Sequence, residues 1–560
     1  MNAVETSFQF HQQTESFGDF IRREKIAVLA FGLGFSIVVA AVILLVDPSF
    51  FYSRLQTDAL LYYLKGKTFA ETGSTAARLA VNLPPFPYAS LPGVLRSPLI
   101  RAFPDFDDQL RAIQLTNILV LDAIALMSAY IFSWSLPKER HWIAIGFAFA
   151  FTVVSPWWMA NVFLALADAP YAAAFLASML VAVHITVSEK PFSTHGKAAV
   201  VFGLLFVVGF SLRYTEPAVL VLAAILMKGR VGDSRISMRF SVGAALLALT
   251  AIGVLVFFNR EAIFERYLME PISFVQKGEK QEIIINLFSL AIPEQIIPGF
   301  ALGFSRPPMI DLYHAQFATT RGDIAWSVVG AFISAGVVWG AWASRERFMP
   351  ELVLFLVVLP VLGVVMASTS RYLMTYQAFF WIWFYEGARL AARRIPTSVR
   401  RRLVSSAGIF ATLAIVAGLA VGIRSRRATS GESGRSISQV IRGASAYVDD
   451  ITSTFKPLRK FLLALPHDRA ILTASSSPGR WNAIANLDYY AADSGLVGLA
   501  SRKDVYFVIE CGSVDVCAGM DAREARIKEG LCSIGEFNYQ LVFEAHARRS
   551  GARVYRVRPA

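Results

Sequence analysis

The sequence is short of cysteine, of charge, and above all of acid. Its three cysteines, Cys511, Cys517 and Cys532, all stand near the C-terminus, and none sits in a CxxC or CxxH pattern. That spacing argues against a zinc site and leaves room for one disulfide, Cys511 with Cys517 or with Cys532. Only 17% of the 560 residues are charged, with 54 Lys+Arg against 41 Asp+Glu and a net charge of +13. In a soluble chain that balance would point to nucleic acid. Here 55% of residues are apolar and the mean hydropathy is +0.49, so the basic residues read instead as anchors of cytoplasmic loops. No small-residue cleavage site follows the first apolar run, residues 26–46, which is long enough to span a bilayer. No internal repeat is evident either, and with it goes the inverted-repeat signature of a secondary transporter.

What the chain has in abundance is long apolar runs. They predict eleven spans, at residues 26–46, 110–134, 142–163, 168–187, 198–212, 218–227, 240–258, 324–343, 351–367, 373–390 and 403–423. Every short loop this assigns to the cytoplasm carries lysine or arginine close to a helix end. The expected fold class is a polytopic α-helical membrane protein with a small C-terminal α/β soluble domain. Residues 1–25 would be a cytoplasmic N-terminus and residues 26–423 the transmembrane domain. Loops 47–109 and 259–323 and the tail 424–560 would lie outside. In the tail, a polar helical stretch at 436–465 precedes strand-length apolar runs at 470–474, 505–509, 540–543 and 554–557.

The first outer loop is too aromatic and aliphatic for disorder and too long for a connector. Within it, residues 57–73 read as a helix on the membrane surface. Thr57 starts it, Gly73 stops it, and Leu60, Leu61 and Leu64 form an apolar side beside Tyr62 and Tyr63. Asp58 falls in its first turn, where a carboxylate either complements the helix dipole or does chemistry. Asp168, in Ala167-Asp168-Ala169-Pro170, is likewise either a cap for the fourth span or an acidic site residue. Arg213-Tyr214 and Arg371-Tyr372 stand at outer helix ends. There an arginine either snorkels, pairs locally (Arg213 with Glu216), or offers its planar fork to a phosphate. Lys65, Arg96 and Arg101 add basic groups to the first loop. Asp122, mid-span, reads as a hydrogen-bonding group of the bundle, and His314 as a lone histidine of the second outer loop.

From the first span to about residue 390 the chain resembles the GT-C superfamily of membrane glycosyltransferases, in its protein O-mannosyltransferase and aminoarabinose-lipid A transferase branch. The features carrying the resemblance are Asp58 with Tyr62 and Tyr63, then Thr72-Gly73, Pro84-Pro85-Phe86-Pro87-Tyr88, and Arg96-Ser97-Pro98-Leu99. Ala59 stands where a second acidic residue often lies, which puts a metal-binding pair in doubt. The resemblance implies inverting transfer of a sugar from a polyprenyl-phosphate donor to a glycan, lipid or protein acceptor on the extracytoplasmic face of the plasma membrane. It implies Asp58 and Asp168 as catalytic carboxylates, and Arg371, Tyr372, Arg213, Lys65 and Arg96 around the donor phosphate. No metal ligand is expected; phosphate leaves readily, so a divalent cation is allowed but not required. The rival classes are a flippase for a lipid-linked sugar and an inactive envelope scaffold.

Overall fold

The computed structural model describes residues 16–52, 57–78, 80, 89–163, 166, 168–187, 196–213, 287–300, 321–344, 373–393, 437–466, 470–473, 480–485, 487–511, 517, 519–548 and 550–560. The helices are α1 (Phe17–Arg23), α2 (Lys25–Leu45), α3 (Ser49–Tyr52), α4 (Thr57–Thr72), α5 (Leu91–Ala102), α6 (Phe106–Ser133), α7 (His141–Val154), α8 (Pro156–Phe163), α9 (Asp168–Val187), α10 (Gly196–Arg213), α11 (Arg321–Ala343), α12 (Gln377–Arg393), α13 (Ile437–Leu463), α14 (Arg480–Ala485), α15 (Leu496–Ala500) and α16 (Met520–Cys532). The strands are β1 (Ala470–Thr473), β2 (Asp488–Tyr489), β3 (Val505–Cys511), β4 (Phe537–Ala547) and β5 (Ser550–Pro559).

Among the described residues, α2, α6 and the Trp326–Ala343 part of α11 are each long and apolar enough to cross a membrane. Helix α2 leaves Ile26, Leu29, Leu33, Ile37 and Leu44 exposed. Such a surface suits lipid and would be a liability in water. The predicted third span, 142–163, is not one helix. It breaks into α7 and α8, bent by 67°, at Ser155-Pro156, where proline cannot continue the ladder and disfavours helical backbone before it. The expected spans at 218–227, 240–258, 351–367 and 403–423 lie outside the described residues.

The chain divides into two compact units. The first, residues 1–38, 119–159 and 168–433, is helical where described. Its helices approach closely where side chains are absent: a Cβ on Gly340 would collide with the Trp383 carbonyl, and one on Gly387 with that of Gly336. Trp381 Nε1 donates to the Gln295 carbonyl at 2.8 Å and Trp158 Nε1 to Gln377 Oε1 at 2.7 Å. Ser36 Oγ donates to Asp122 Oδ2 at 2.6 Å, so Asp122 does bond within the helices as its position predicts.

The second unit, residues 39–118, 160–167 and 434–560, joins the loop predicted at 47–109 to the tail. Its sheet has the order β2-β1-β3-β5-β4, with β1 parallel to β2 and β3, and β5 antiparallel to β3 and β4. All seven residues of the central β3 are buried, because both faces of the sheet are covered. Val505, Phe507 and Ile509 face a cluster with Leu496, Met520 and Leu531. Tyr506 and Val508, on the other face, join Ile451, Phe455 and Leu458 of α13. That second cluster also contains Tyr52, Leu60, Tyr63, Leu64 and Phe106 of the first outer loop. Cys511 and Cys517 form the disulfide, with Cα atoms 5.1 Å apart, and Cys532 is free and exposed.

The tail strands appear where the apolar runs place them, with β2 added and β4 and β5 longer than expected. The helix at 57–73 is also present as α4, closed by Gly73 at φ 74°, whose N–H reaches the Phe69 carbonyl at 2.9 Å. Its environment differs from the expectation of a helix lying on lipid. Residues 59–64 are all buried, and Leu60 and Leu64 pack into the core shared with α13. A helix with six consecutive buried positions is covered by protein all round.

Candidate active site

Helices α4 and α5 meet at two glycines. A Cβ on Gly93 would sit 2.7 Å from the Gly66 nitrogen, 2.8 Å from Lys65 Cβ and 2.9 Å from the Tyr62 carbonyl, so only glycine permits this approach. Around that seam stand two buried cations. Lys65, 5% exposed, donates from Nζ to Ser90 Oγ at 3.2 Å. Ser90 precedes α5 but makes no side-chain cap there; its hydroxyl serves the lysine instead. Burial pushes the Lys65 amine down to about 8.

Arg96, 6% exposed, donates from Nη2 to the Leu166 carbonyl at 2.9 Å and lies over the Tyr62 ring, 6.0 Å from its centroid. Its Nη1 is buried with no hydrogen-bond partner among the described residues. Desolvation lowers its pKa to about 10. The helix that carries it contains Pro98, which cannot donate to the Val94 carbonyl; Ser97 Oγ donates there instead, at 2.7 Å.

Asp58 is the second residue of α4, one helical turn before Tyr62 and two before Lys65 in the backbone. Ala59 clusters with Leu166, whose carbonyl takes the Arg96 guanidinium. The N-terminal turn of α4 is thereby brought to Arg96. Of the sequence-predicted residues, the structure thus gathers Lys65 and Arg96 on one helix seam whose α4 backbone also carries Asp58. Asp168 is the first residue of α9, in the other unit, with a buried side chain. Arg213 is the last residue of α10. Arg371, Tyr372, His314 and Pro84-Pro85-Phe86-Pro87-Tyr88 lie outside the described residues. Arg101 does not line the seam: its Nε donates to the Ala70 carbonyl at 2.7 Å and closes the last turn of α4. Among the described residues no group of three or more His, Cys, Asp or Glu could hold a metal ion.

A supporting set of bonds was not predicted from the sequence. Tyr63 OH donates to Gln109 Oε1, and Gln109 Nε2 donates to the carbonyls of Ile100 at 3.1 Å and Phe103 at 2.7 Å. Gln109, at the start of α6, therefore ties the end of α5 to the middle of α4. Gln109 stands among Asp107, Asp108 and Arg111, just ahead of the apolar run at 110–134, and nothing in that polar stretch singles it out.

No family model matches the chain, and no curated protein matches it. Among solved structures it is similar to ArnT from Cupriavidus metallidurans bound to undecaprenyl phosphate, at 11% identity and a TM-score of 0.49, over 93% of this chain and 98% of that one. It is also similar to the oligosaccharyltransferase AglB from Archaeoglobus fulgidus, in complex with an inhibitory peptide and a dolichol-phosphate. There the identity is 12% and the TM-score 0.46, over 91% of this chain and 73% of that one. At this level of likeness the site's own residues, and not the neighbours, carry the functional reading.

Proposed function

We propose that the protein is a membrane glycosyltransferase that moves a sugar from a polyprenyl-phosphate donor to an acceptor nucleophile at the extracytoplasmic face. The observation that carries the reading is Arg96. A buried guanidinium with a donor left without a partner among the described residues, on the same α4–α5 seam as a second buried cation, is a costly arrangement that an anionic ligand would repay. In this scheme Arg96 and Lys65 bind the donor phosphate, with Arg371, Tyr372 and Arg213 as further contacts. Asp58 takes the proton of the acceptor hydroxyl as its oxygen attacks the anomeric carbon. The bond from that carbon to the phosphate oxygen breaks, and polyprenyl phosphate leaves with its charge held by the two cations. Attack from the face opposite the phosphate inverts the anomeric centre. Asp168, in Ala167-Asp168-Ala169-Pro170, is the second carboxylate that the family resemblance proposes.

The test is reconstitution of the purified protein in vesicles with sugar-labelled polyprenyl phosphate. Transfer to an acceptor supports the reading; label crossing the bilayer without transfer makes the protein a flippase, and neither makes it a scaffold. Asp58→Asn keeps the shape and removes the charge. It should lower turnover about 10²–10⁴-fold while donor binding persists. Near-normal turnover by folded, donor-loaded Asp58→Asn would remove the catalytic assignment.

A further inference from the structure

The tail reaches into the first outer loop with one side chain that the scheme above leaves unused. Arg459, on α13 and 13% exposed, forks between two aspartates at the α5–α6 turn: Nη1 to Asp107 Oδ2 at 2.6 Å and Nη2 to Asp105 Oδ1 at 2.8 Å. The other Asp107 oxygen, Oδ1, accepts from Tyr52 OH, and the guanidinium lies 5.9 Å from the Tyr52 ring centroid. Three residues earlier Lys456 Nζ pairs with Asp47 Oδ2 at 2.9 Å, at the end of α2. The turn thus gripped lies directly between α5, which carries Arg96, and Gln109, which holds α4 through Tyr63.

We infer that Arg459 is a positioning residue for the transfer reaction, fixing the α5–α6 turn so that the α4–α5 seam presents its cations and Asp58 in register; the inference rests on the transferase reading. A bidentate arginine suits this task because its planar fork fixes direction as well as charge. It touches neither donor nor acceptor. The cations themselves stand at the Gly66–Gly93 seam, where α4 and α5 touch each other directly and not through Arg459. Loosening the grip should therefore spoil alignment more than donor binding. Misplacement on the scale of an ångström is enough to slow a reaction about 10²-fold.

The experiment compares kcat and donor KM of Arg459→Ala, Arg459→Lys and Arg553→Ala, with hydrogen exchange of residues 91–109. Arg553 is the control, an arginine with three ion-pair partners to Arg459's two, and those partners, Asp521, Glu524 and Glu544, all lie within the tail. Expected are a kcat about ten-fold or more lower for Arg459→Ala with KM within about two-fold, and faster exchange at 91–109. Arg459→Lys should fall between, and Arg553→Ala should match the parent protein. Parent-like kcat in folded Arg459→Ala, or an equal loss in Arg553→Ala, overturns the inference and leaves the transferase reading standing. If Arg459→Ala does not fold, Asp105→Ala removes one arm of the fork at an exposed position, and unchanged kcat there overturns it as well. If the parent protein transfers no sugar, the transferase reading falls by itself. Exchange at 91–109 then judges the grip alone, and unchanged exchange in Arg459→Ala overturns it.

Discussion

Lys65 offers a pH test of the donor site whose size follows from the structure. Its amine is buried against Ser90, and desolvation brings it down to about 8, while Arg96 beside the same seam titrates at about 10. A donor phosphodiester keeps one negative charge throughout this range, so only the protein titrates between pH 7 and 9. If the charged lysine holds the phosphate, apparent affinity follows the charged fraction, weakening about ten-fold from pH 7 to 9 and about a hundred-fold by pH 10. A unit pair about 4 Å apart at an effective dielectric of 20 is worth about 4 kcal/mol, enough to sustain that range. The sign is the reverse for the empty protein. A lysine whose folded pKa lies below its unfolded value is a burden that is full below pH 8. The burden lifts as pH rises toward 10.5, so the unliganded fold gains about 3 kcal/mol across that window. Equilibrium binding of the donor to vesicle-embedded protein, read at half-unit steps, measures the first effect. Lys65→Arg should bind without the step, since arginine stays charged, and Lys65→Met should bind weakly at every pH. A step near pH 8 that persists in Lys65→Met would refute the assignment.

Two further predictions test how the site and its support are built. Gly93→Ala forces a methyl group onto Gly66, Lys65 and Tyr62; it should destabilise the seam by about 1–3 kcal/mol, read by denaturant titration, and lower donor affinity. In the tail, Glu510 accepts from Arg480 Nη1 at 2.6 Å and from Trp481 Nε1 at 2.8 Å, all buried. Glu510→Ala should cost about 3–5 kcal/mol by denaturant titration, and pairing Glu510→Leu with Arg480→Met should recover most of it.

Local signals in the chain were read well, and long-range ones were not. Apolar runs put α2, α6 and α9 within a few residues of their ends, because a span needs only length and composition. Thr57 and Gly73 marked α4, and the strand runs marked the core of the tail sheet. The break at Pro156 was visible as a proline but hidden to hydropathy, which counts transfer energy and ignores a missing N–H. The isolated glycines Gly66 and Gly93, each unfavourable in a helix, likewise hinted at a close approach without naming its partner. No pattern at residues 105–107 announces Arg459 some 350 positions later. Nor does the apolar side of α4 tell lipid from the underside of a sheet, since both reward the same leucines.

The same limit applies to Arg96, whose sequence context says only that it is basic and precedes Ser97-Pro98-Leu99. What gives it meaning is burial together with an Nη1 that has no partner among the described residues, and two explanations compete. Either Asp58, one turn before Tyr62, is its resident counter-ion, or the site is left positive for an incoming phosphate. These make opposite demands on Asp58→Asn. A resident pair broken from one side leaves a buried charge uncompensated and should cost about 3–5 kcal/mol of stability. A site built for phosphate should keep its stability in Asp58→Asn, and a polyprenyl phosphate added at a hundred times its dissociation constant should raise it by about 2.7 kcal/mol. Thermal unfolding of the parent and Asp58→Asn proteins, with and without the lipid, separates the two. A large loss in the empty variant would make Asp58 a structural partner first, and the general-base role would then have to pass to Asp168.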